Sequence, residues 1–262
     1  MGPSAVFEQL AQGDAVGKIP RLGGMARADG VVIVSERYWA FAGTDGSLKE
    51  GRMPVTPLAL HSLPLVRGLV RLAGSLSPLF RRRGVTRRRE RLFLAVALLL
   101  PAALAFAPSS LALVVGVVVT AALLSWLLRG RTLYLHGAEH RAIAALEDRR
   151  LCDTWKGRAH PSRFSLRCGT NFAALLFPVA LLGGRLWPLP ATALTPLVVS
   201  VLALALTMEL WLLVQVSRRV ARIVLLPGLA LQRLTTREPR LDETRVALTA
   251  LAAVLRREQA AM

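Results

Sequence analysis

Two long stretches of this chain lack the polar positions that punctuate the rest. Residues 92–128 carry no charged side chain, and residues 168–208 carry only Arg185. A hydrocarbon core about 30 Å thick takes roughly 20 helical residues, so each stretch is too long for one span and reads better as a hairpin. Turns at Ala107-Pro108-Ser109-Ser110 and at Gly183 to Pro190 divide them into four segments, near 92–107, 111–128, 171–186 and 191–214. The first and third are short, which leaves a re-entrant hairpin open. The pattern predicts a mainly α, integral membrane fold of two helical hairpins, or about four spans. A small β-rich cytoplasmic segment precedes them and a C-terminal amphipathic helix follows.

Outside the two stretches the periodicity changes. Residues 1–20 lack the basic start and apolar core of a signal peptide and are expected to form a flexible N-terminus. Residues 21–53 read as β: Val31–Val34 and Tyr38–Ala42 are strand runs, Gly43-Thr44-Asp45-Gly46 is a hairpin turn, and Leu48 begins a return strand. Residues 54–91 form an amphipathic and basic segment suited to an interface. Leu65, Leu69, Leu72 and Leu76 lie at helical spacing, with Arg67 and Arg71 off that stripe. The 92–128 hairpin follows, then a 129–170 loop and helix, a hairpin over 171–216, and a cytoplasmic segment over 217–262. Within that last segment 223–239 is a Pro/Gly-broken connector, and Asp242 to Arg257 is an amphipathic helix.

Composition agrees with this segregation. The chain is 53% hydrophobic with mean hydropathy +0.46, yet its formal net charge is +18. Arginines crowd the ends of the apolar stretches, at Arg81–Arg83, Arg87–Arg89 and Arg91, at Arg129 and Arg131, and at Arg218, Arg219 and Arg222. The positive-inside rule then puts both termini and the 129–170 loop in the cytoplasm, as in a multi-pass protein of a bacterial inner membrane. The partners expected are the bilayer and its anionic headgroups, worth about 1 kcal/mol per basic residue near the surface. A nucleic-acid partner is disfavoured, because membrane flanking already explains the arginines, and a homo-oligomer stays open. Cys152 and Cys168 fall on the cytoplasmic side, where thiols stay reduced.

The chemistry concentrates in His136-Gly137-Ala138-Glu139-His140. On a helix the two histidines lie one turn apart on one face with Glu139 beside them. This H-x-x-E-H order is that of the inverzincins, where two imidazoles hold a metal and the carboxylate moves protons. Imidazoles suit zinc or another first-row divalent ion, and Glu139 is the candidate catalytic base. Glu147 shares the face but stands about 16 Å of helix rise from His136 and about 10 Å from His140, too far to ligate the same ion. A third ligand must come from elsewhere: Cys168 is the best candidate and His160 the next. A buried carboxylate at Glu209 would ligate, orient a histidine, or pair with an arginine such as Arg67. Arg233, Thr235, Thr236, Arg237 and Glu238 form a polar cluster that reads equally as a phosphate or headgroup grip and as a loop network against the histidine helix. Plainer readings stand beside these: a hydrogen-bonded pair of interfacial histidines, a small buried hydrophobe at Cys168, and a helix start there capped by Thr170 or Asn171.

The strings RLGGMARADGV, PLVRGLVRL, YLHGAEHRAIAALE, FSLRCGTNF and PGLALQRLTTREP, in that order, resemble the YqhQ-like bacterial membrane proteins. That family is a domain of unknown function often labelled a metal-dependent enzyme. The resemblance runs from about residue 21 to residue 255. It covers Gly23, Gly24, Ala26, Gly30 and Val31, with Asp29 where the family has glutamate, and His136 through His140 together with Glu147. Arg167, Cys168, Gly169 and Thr170 match, but the histidine and proline expected just upstream are absent; His160-Pro161 stand several residues earlier. Asp29 joins Glu147, Glu209 and Arg67 as a residue expected to orient ligands or form pairs. Two functions follow. One is a membrane scaffold in which a zinc knot or polar hub pins the cytoplasmic segments together, which the missing histidine favours. The other is a membrane-embedded zinc-dependent hydrolase acting on lipid or peptide at the interface.

Overall fold

The computed structural model describes residues 1–262 other than 18, 82, 83, 105–108 and 262. The chain runs α1 (Pro3–Ala15), β1 (Gly23–Arg27), β2 (Gly30–Val34), β3 (Tyr38–Gly43), β4 (Leu48–Arg52), α2 (Leu58–Ser62), α3 (Val66–Phe80), α4 (Arg88–Leu104) and α5 (Ser109–Leu127). It continues through α6 (Thr132–Glu147), α7 (Leu151–Trp155), α8 (Gly169–Arg185), α9 (Thr195–Val214), α10 (Arg218–Val224), α11 (Leu226–Thr235) and α12 (Leu241–Gln259).

The four strands pair in sequence order as an antiparallel meander. Register follows from the alternation of side chains. Val31 faces Ala42 and Ile33 faces Ala40, while Val32 faces Phe41 and Val34 faces Trp39. The first set packs into the main core with α6 and α12, and the second covers the opposite face with Met25, Met53 and Val85. The sheet is therefore buried on both sides. Small side chains set the approach of the helices: Ala138, Ala142 and Ala145 on α6 and Ala247, Ala250, Ala252 and Ala253 on α12 are all in that core. At the turn into β4, Gly46 takes φ +81° and Asp45 Oδ1 accepts the Ser47 N–H at 3.0 Å.

A second body is built from α8 and α9, which pack against one another, with α3 and α11 against them. α3 enters through a γ-turn: Leu65 takes φ 66° and ψ −48°, and Val66 N–H donates to the Pro64 carbonyl at 2.8 Å. Glu209 on α9 holds this turn. Its carboxylate accepts from Leu65 N–H at 3.1 Å and from Arg67 at 2.5–3.0 Å, so of the three roles open to Glu209 it takes the arginine pair.

The expectation of about four membrane spans is overturned. Among the described residues one helix, Thr195–Val214, is long and apolar enough to cross a membrane. The hairpins form, but their members fall short. α4 has 17 residues and opens on Arg88, Arg89, Glu90 and Arg91. α8 also has 17, about 26 Å of rise, and Pro178 interrupts it. Within α5 the described apolar run is Val114–Leu123. Ala107 and Pro108 of the first expected turn, and Arg82 and Arg83 of the arginine cluster, lie outside the described residues.

Two further expectations change. Residues expected as a flexible N-terminus form α1, whose Val6 and Leu10 are buried against the core and whose Asp14 accepts the Leu151 and Cys152 N–H groups at 2.9 and 3.0 Å. The connector over 223–239 is largely helical, as the end of α10 and all of α11. Pro227 does not break α11 because it stands in the first turn, where its missing N–H has no intrahelical partner to lose.

Candidate metal centre

α6 carries the site because three flanking segments hold it in place. At its start Arg131 pairs with Asp242 at 2.9 Å and Glu243 at 3.3 Å, tying α6 to the first turn of α12. One turn on, the Arg237 N–H donates to the Leu133 carbonyl at 2.9 Å, and the Arg237 carbonyl lies where any Cβ at position 137 would stand. Glycine at 137 is thus required by the close passage of the segment after α11. The same passage brings the Thr235 carbonyl to His136 Nδ1, at 2.8 Å. His140 Nδ1 is 2.7 Å from the Arg163 carbonyl, on the loop between α7 and α8.

These contacts fix the chemistry of the rings. A carbonyl only accepts, so both imidazoles carry their proton on Nδ1 and turn the Nε2 lone pair inward. The rings stand edge to face with centroids 4.5 Å apart. His136 Nε2 is 3.2 Å from Cys168 Sγ, and His140 Nε2 is buried with no partner among the described residues. One donor atom from each of His136, His140 and Cys168 lies within 4.8 Å of the others. Two nitrogens and a sulfur converge as borderline-soft donors do around zinc. Nδ1–H groups tied to backbone carbonyls are also the usual support for metal-ligating histidines.

Burial governs the protonation states of the metal-free site. It lowers His136 below its ordinary value, opposed by the Thr235 carbonyl. It lowers His140 to about 3, with the His136 ring adding to the effect and the Arg163 carbonyl opposing it. Burial raises the Cys168 thiol to about 11, against the hydrogen bond from Thr170, while the nearby Glu139 carboxylate pushes the same way as burial. Glu139, 5% exposed, is raised to about 8 by burial alone. No hydrogen bond to its carboxyl forms among the described residues, and it stands beside the converging donors rather than among them. Against it lies β1: a Cβ on Gly24 would sit 2.7 Å from Glu139 Oε1.

The remaining candidates sort as follows. Cys168 is itself the N-cap of α8, its Sγ accepting from Thr170 N–H at 3.5 Å and Oγ1 at 3.2 Å, so neither Thr170 nor Asn171 is the cap. His160 is exposed and outside the converging group. Glu147 pairs with Arg167 at 2.9 Å near the far end of α6. Asp29 pairs with Arg27, at 2.9 Å, away from the histidines. The polar cluster after α11 works as a loop network. Thr236 accepts from Arg163 through its carbonyl at 2.7 Å and its hydroxyl at 2.9 Å, Glu238 pairs with Arg141 and Arg163, and Arg237 donates to the Arg233 carbonyl at 3.1 Å. Sequence reasoning missed Arg141, buried next to His140 and donating to the Pro161 carbonyl at 3.2 Å and the Pro239 carbonyl at 3.3 Å. Its signal was an arginine beside the alanines of a helix face bound for the core.

A family model described as a protein of unknown function, DUF1385, matches residues 92–257. The chain belongs to this family. The DUF1385 match takes in all three converging donors, Glu139, and both carbonyls that aim the imidazoles. Gly24 and the sheet behind Glu139 lie before it. No curated protein and no solved structure matches the chain.

Proposed function

We propose that this DUF1385 member is a metal-binding hub protein, in which His136, His140 and Cys168 hold one divalent ion, zinc by preference. The observation that carries the reading is the buried, unpartnered Nε2 of His140 beside a second imidazole lone pair and a thiol. Unpaired buried polar atoms are rare in folded proteins and commonly mark an ion or water that completes them. A bound zinc ion would supply the charge that ionises Cys168 and takes up both lone pairs. His136 links α6 to the end of α11, His140 links it to the loop after α7, and Cys168 begins α8. One point thus fastens three segments distant in sequence. The likeness to the YqhQ-like proteins, with their metal-dependent label, supports the same reading.

The test is metal content and cobalt spectroscopy of the purified full-length protein. Wild type should carry close to one zinc per chain and accept cobalt with a thiolate charge-transfer band. His136→Ala and His140→Ala should each weaken binding by roughly tenfold or more. Wild type that purifies without metal and takes up neither zinc nor cobalt would end the proposal.

The second reading, a hydrolase, rests on the donor count. Three protein donors would leave a tetrahedral ion one open position, as catalytic sites do, and Glu139, one residue before His140, would be the group to take a proton from a water bound there. Both readings share these three donors, so Glu139→Gln separates them: retained metal with lost activity supports the hydrolase, whereas lost folding supports the hub. For location we infer a bacterial inner membrane, with the site on the cytoplasmic side. Support comes from the exposed apolar side chains of α8 and α9, among them Phe177, Leu181, Val201 and Leu206, and from the arginines bordering the apolar stretches.

A further inference from the structure

A second cluster lies at the start of α6, one turn before His136, where the sheet meets the feet of the apolar helices. A cavity of about 210 Å³ opens between the β1–β2 turn, the start of α4 and the link from α5 to α6, with Arg27, Asp29, Arg87, Glu90, Arg129 and Thr132 in its lining. Ligand pockets for drug-sized molecules run from roughly 300 to 1,000 Å³, so this one has room for a single small group. Three guanidinium groups line it against two carboxylates, a surplus of positive charge.

The carboxylates serve one edge of Arg27. Its Nε and Nη2 pair with Asp29 at 2.9 and 3.1 Å, and Nη2 also pairs with Glu90 at 3.0 Å. Glu90 is further engaged by the Arg87 N–H at 3.0 Å, which caps α4. Arg27 keeps only 8% exposure, yet its Nη1 is buried without any partner. With Asp29 on its Nε–Nη2 edge and Glu90 on the remaining side of Nη2, this guanidinium keeps Nη1 as its one unmet donor. Thr132 adds the positive end of the α6 dipole.

We propose that this cavity binds a phosphate group, with Arg27 Nη1, Arg87 and Arg129 as its donors. The proposal involves none of the three metal donors and stands apart from the hub. The phosphate comes either free in solution or on a lipid. Arg87 precedes α4 and Arg129 follows α5, so an acyl-bearing phosphate seated here would lead its chains along those helices.

The experiment titrates the full-length protein in mild detergent with inorganic phosphate by calorimetry. In parallel, vesicles of phosphatidylcholine doped with phosphatidate are compared with vesicles doped to equal charge with oleate, which has no phosphate. Arg87→Ala and Arg129→Ala leave the Arg27 pairs intact, and Arg219→Ala with Arg222→Ala controls for net charge. Support is binding of phosphate, of phosphatidate over oleate, or of both, weakened roughly tenfold by either cavity variant and not by the control. Phosphate alone would name a soluble source, and phosphatidate alone a lipid one. No binding in either arm, equal binding to oleate, or equal loss in the control would overturn the proposal.

Discussion

At Gly24 a single missing methyl group decides what Glu139 can do. The buried Glu139 side chain occupies the space where a Cβ on residue 24 would stand, so any side chain added there meets Glu139 first. Gly24→Ala should destabilise the protein by about 1–3 kcal/mol, as overpacking does, and displace Glu139. Gly74, on α3 with nothing near its absent Cβ, is the internal control. Gly74→Ala should instead stabilise by about 0.5–1 kcal/mol through helix propensity. Paired thermal melts check both, and equal shifts of one sign would refute the contact. The chemistry of the site was legible residue by residue in the chain: a histidine pair at helical spacing, an acid beside it, and Cys168 as the preferred third donor. The two aiming groups were not legible, because they are backbone carbonyls, which every residue possesses. Sequence ranked Cys168 ahead of His160, and the structure brings Cys168, buried at the start of α8, to the two histidines while His160 stays exposed.

Among elements, α8 shows how one side chain serves two purposes. Cys168 ends the loop that positions His140 and caps the helix that follows. Substitutions separate the roles. Serine is among the best N-caps and a poor zinc ligand, so Cys168→Ser should lose the cobalt charge-transfer band while α8 stays anchored. Cys168→Ala loses both. In chelator-treated samples Cys168→Ala should melt below Cys168→Ser by about 1 kcal/mol of stability. Identical melts would show that the thiol does not cap. At this scale the strand runs and the terminal helix were readable from periodicity, and so were the apolar helices. What composition could not set was their usable length. Uncharged residues continue through turns and frayed ends, so a long apolar stretch reports where hydrophobic surface lies and not how much of it is helix.

For the whole molecule the apolar surface is divided unevenly. The sheet, α6 and α12 enclose a core with alanines at close quarters, while α8 leaves Phe177 and Leu181 exposed and α9 leaves Val198, Val201, Leu202 and Leu206 exposed. An exposed surface of that kind needs a cover in water. The protein should therefore sediment with the membrane fraction, resist an alkaline carbonate wash and need detergent for release. Recovery in the soluble fraction would contradict the inferred location without touching the metal centre. The N-terminal helix illustrates a different limit of sequence reading. α1 is weakly amphipathic, and it is held by Val6 and Leu10 in the core and by Asp14 bonding to the start of α7, contacts between residues 137 and 138 positions apart.

The two carbonyls that aim His136 and His140 belong to Thr235 and Arg163, on either side of the α8–α9 pair. During synthesis the histidines leave the ribosome long before the second of those carbonyls exists. A growing chain that ends short of Thr235 has both imidazoles but nothing to point one of them. On the proposed metal reading, loading with an ion would be one of the last events in the making of this molecule, and a fragment carrying only the His-x-x-Glu-His helix would be a poor stand-in for it.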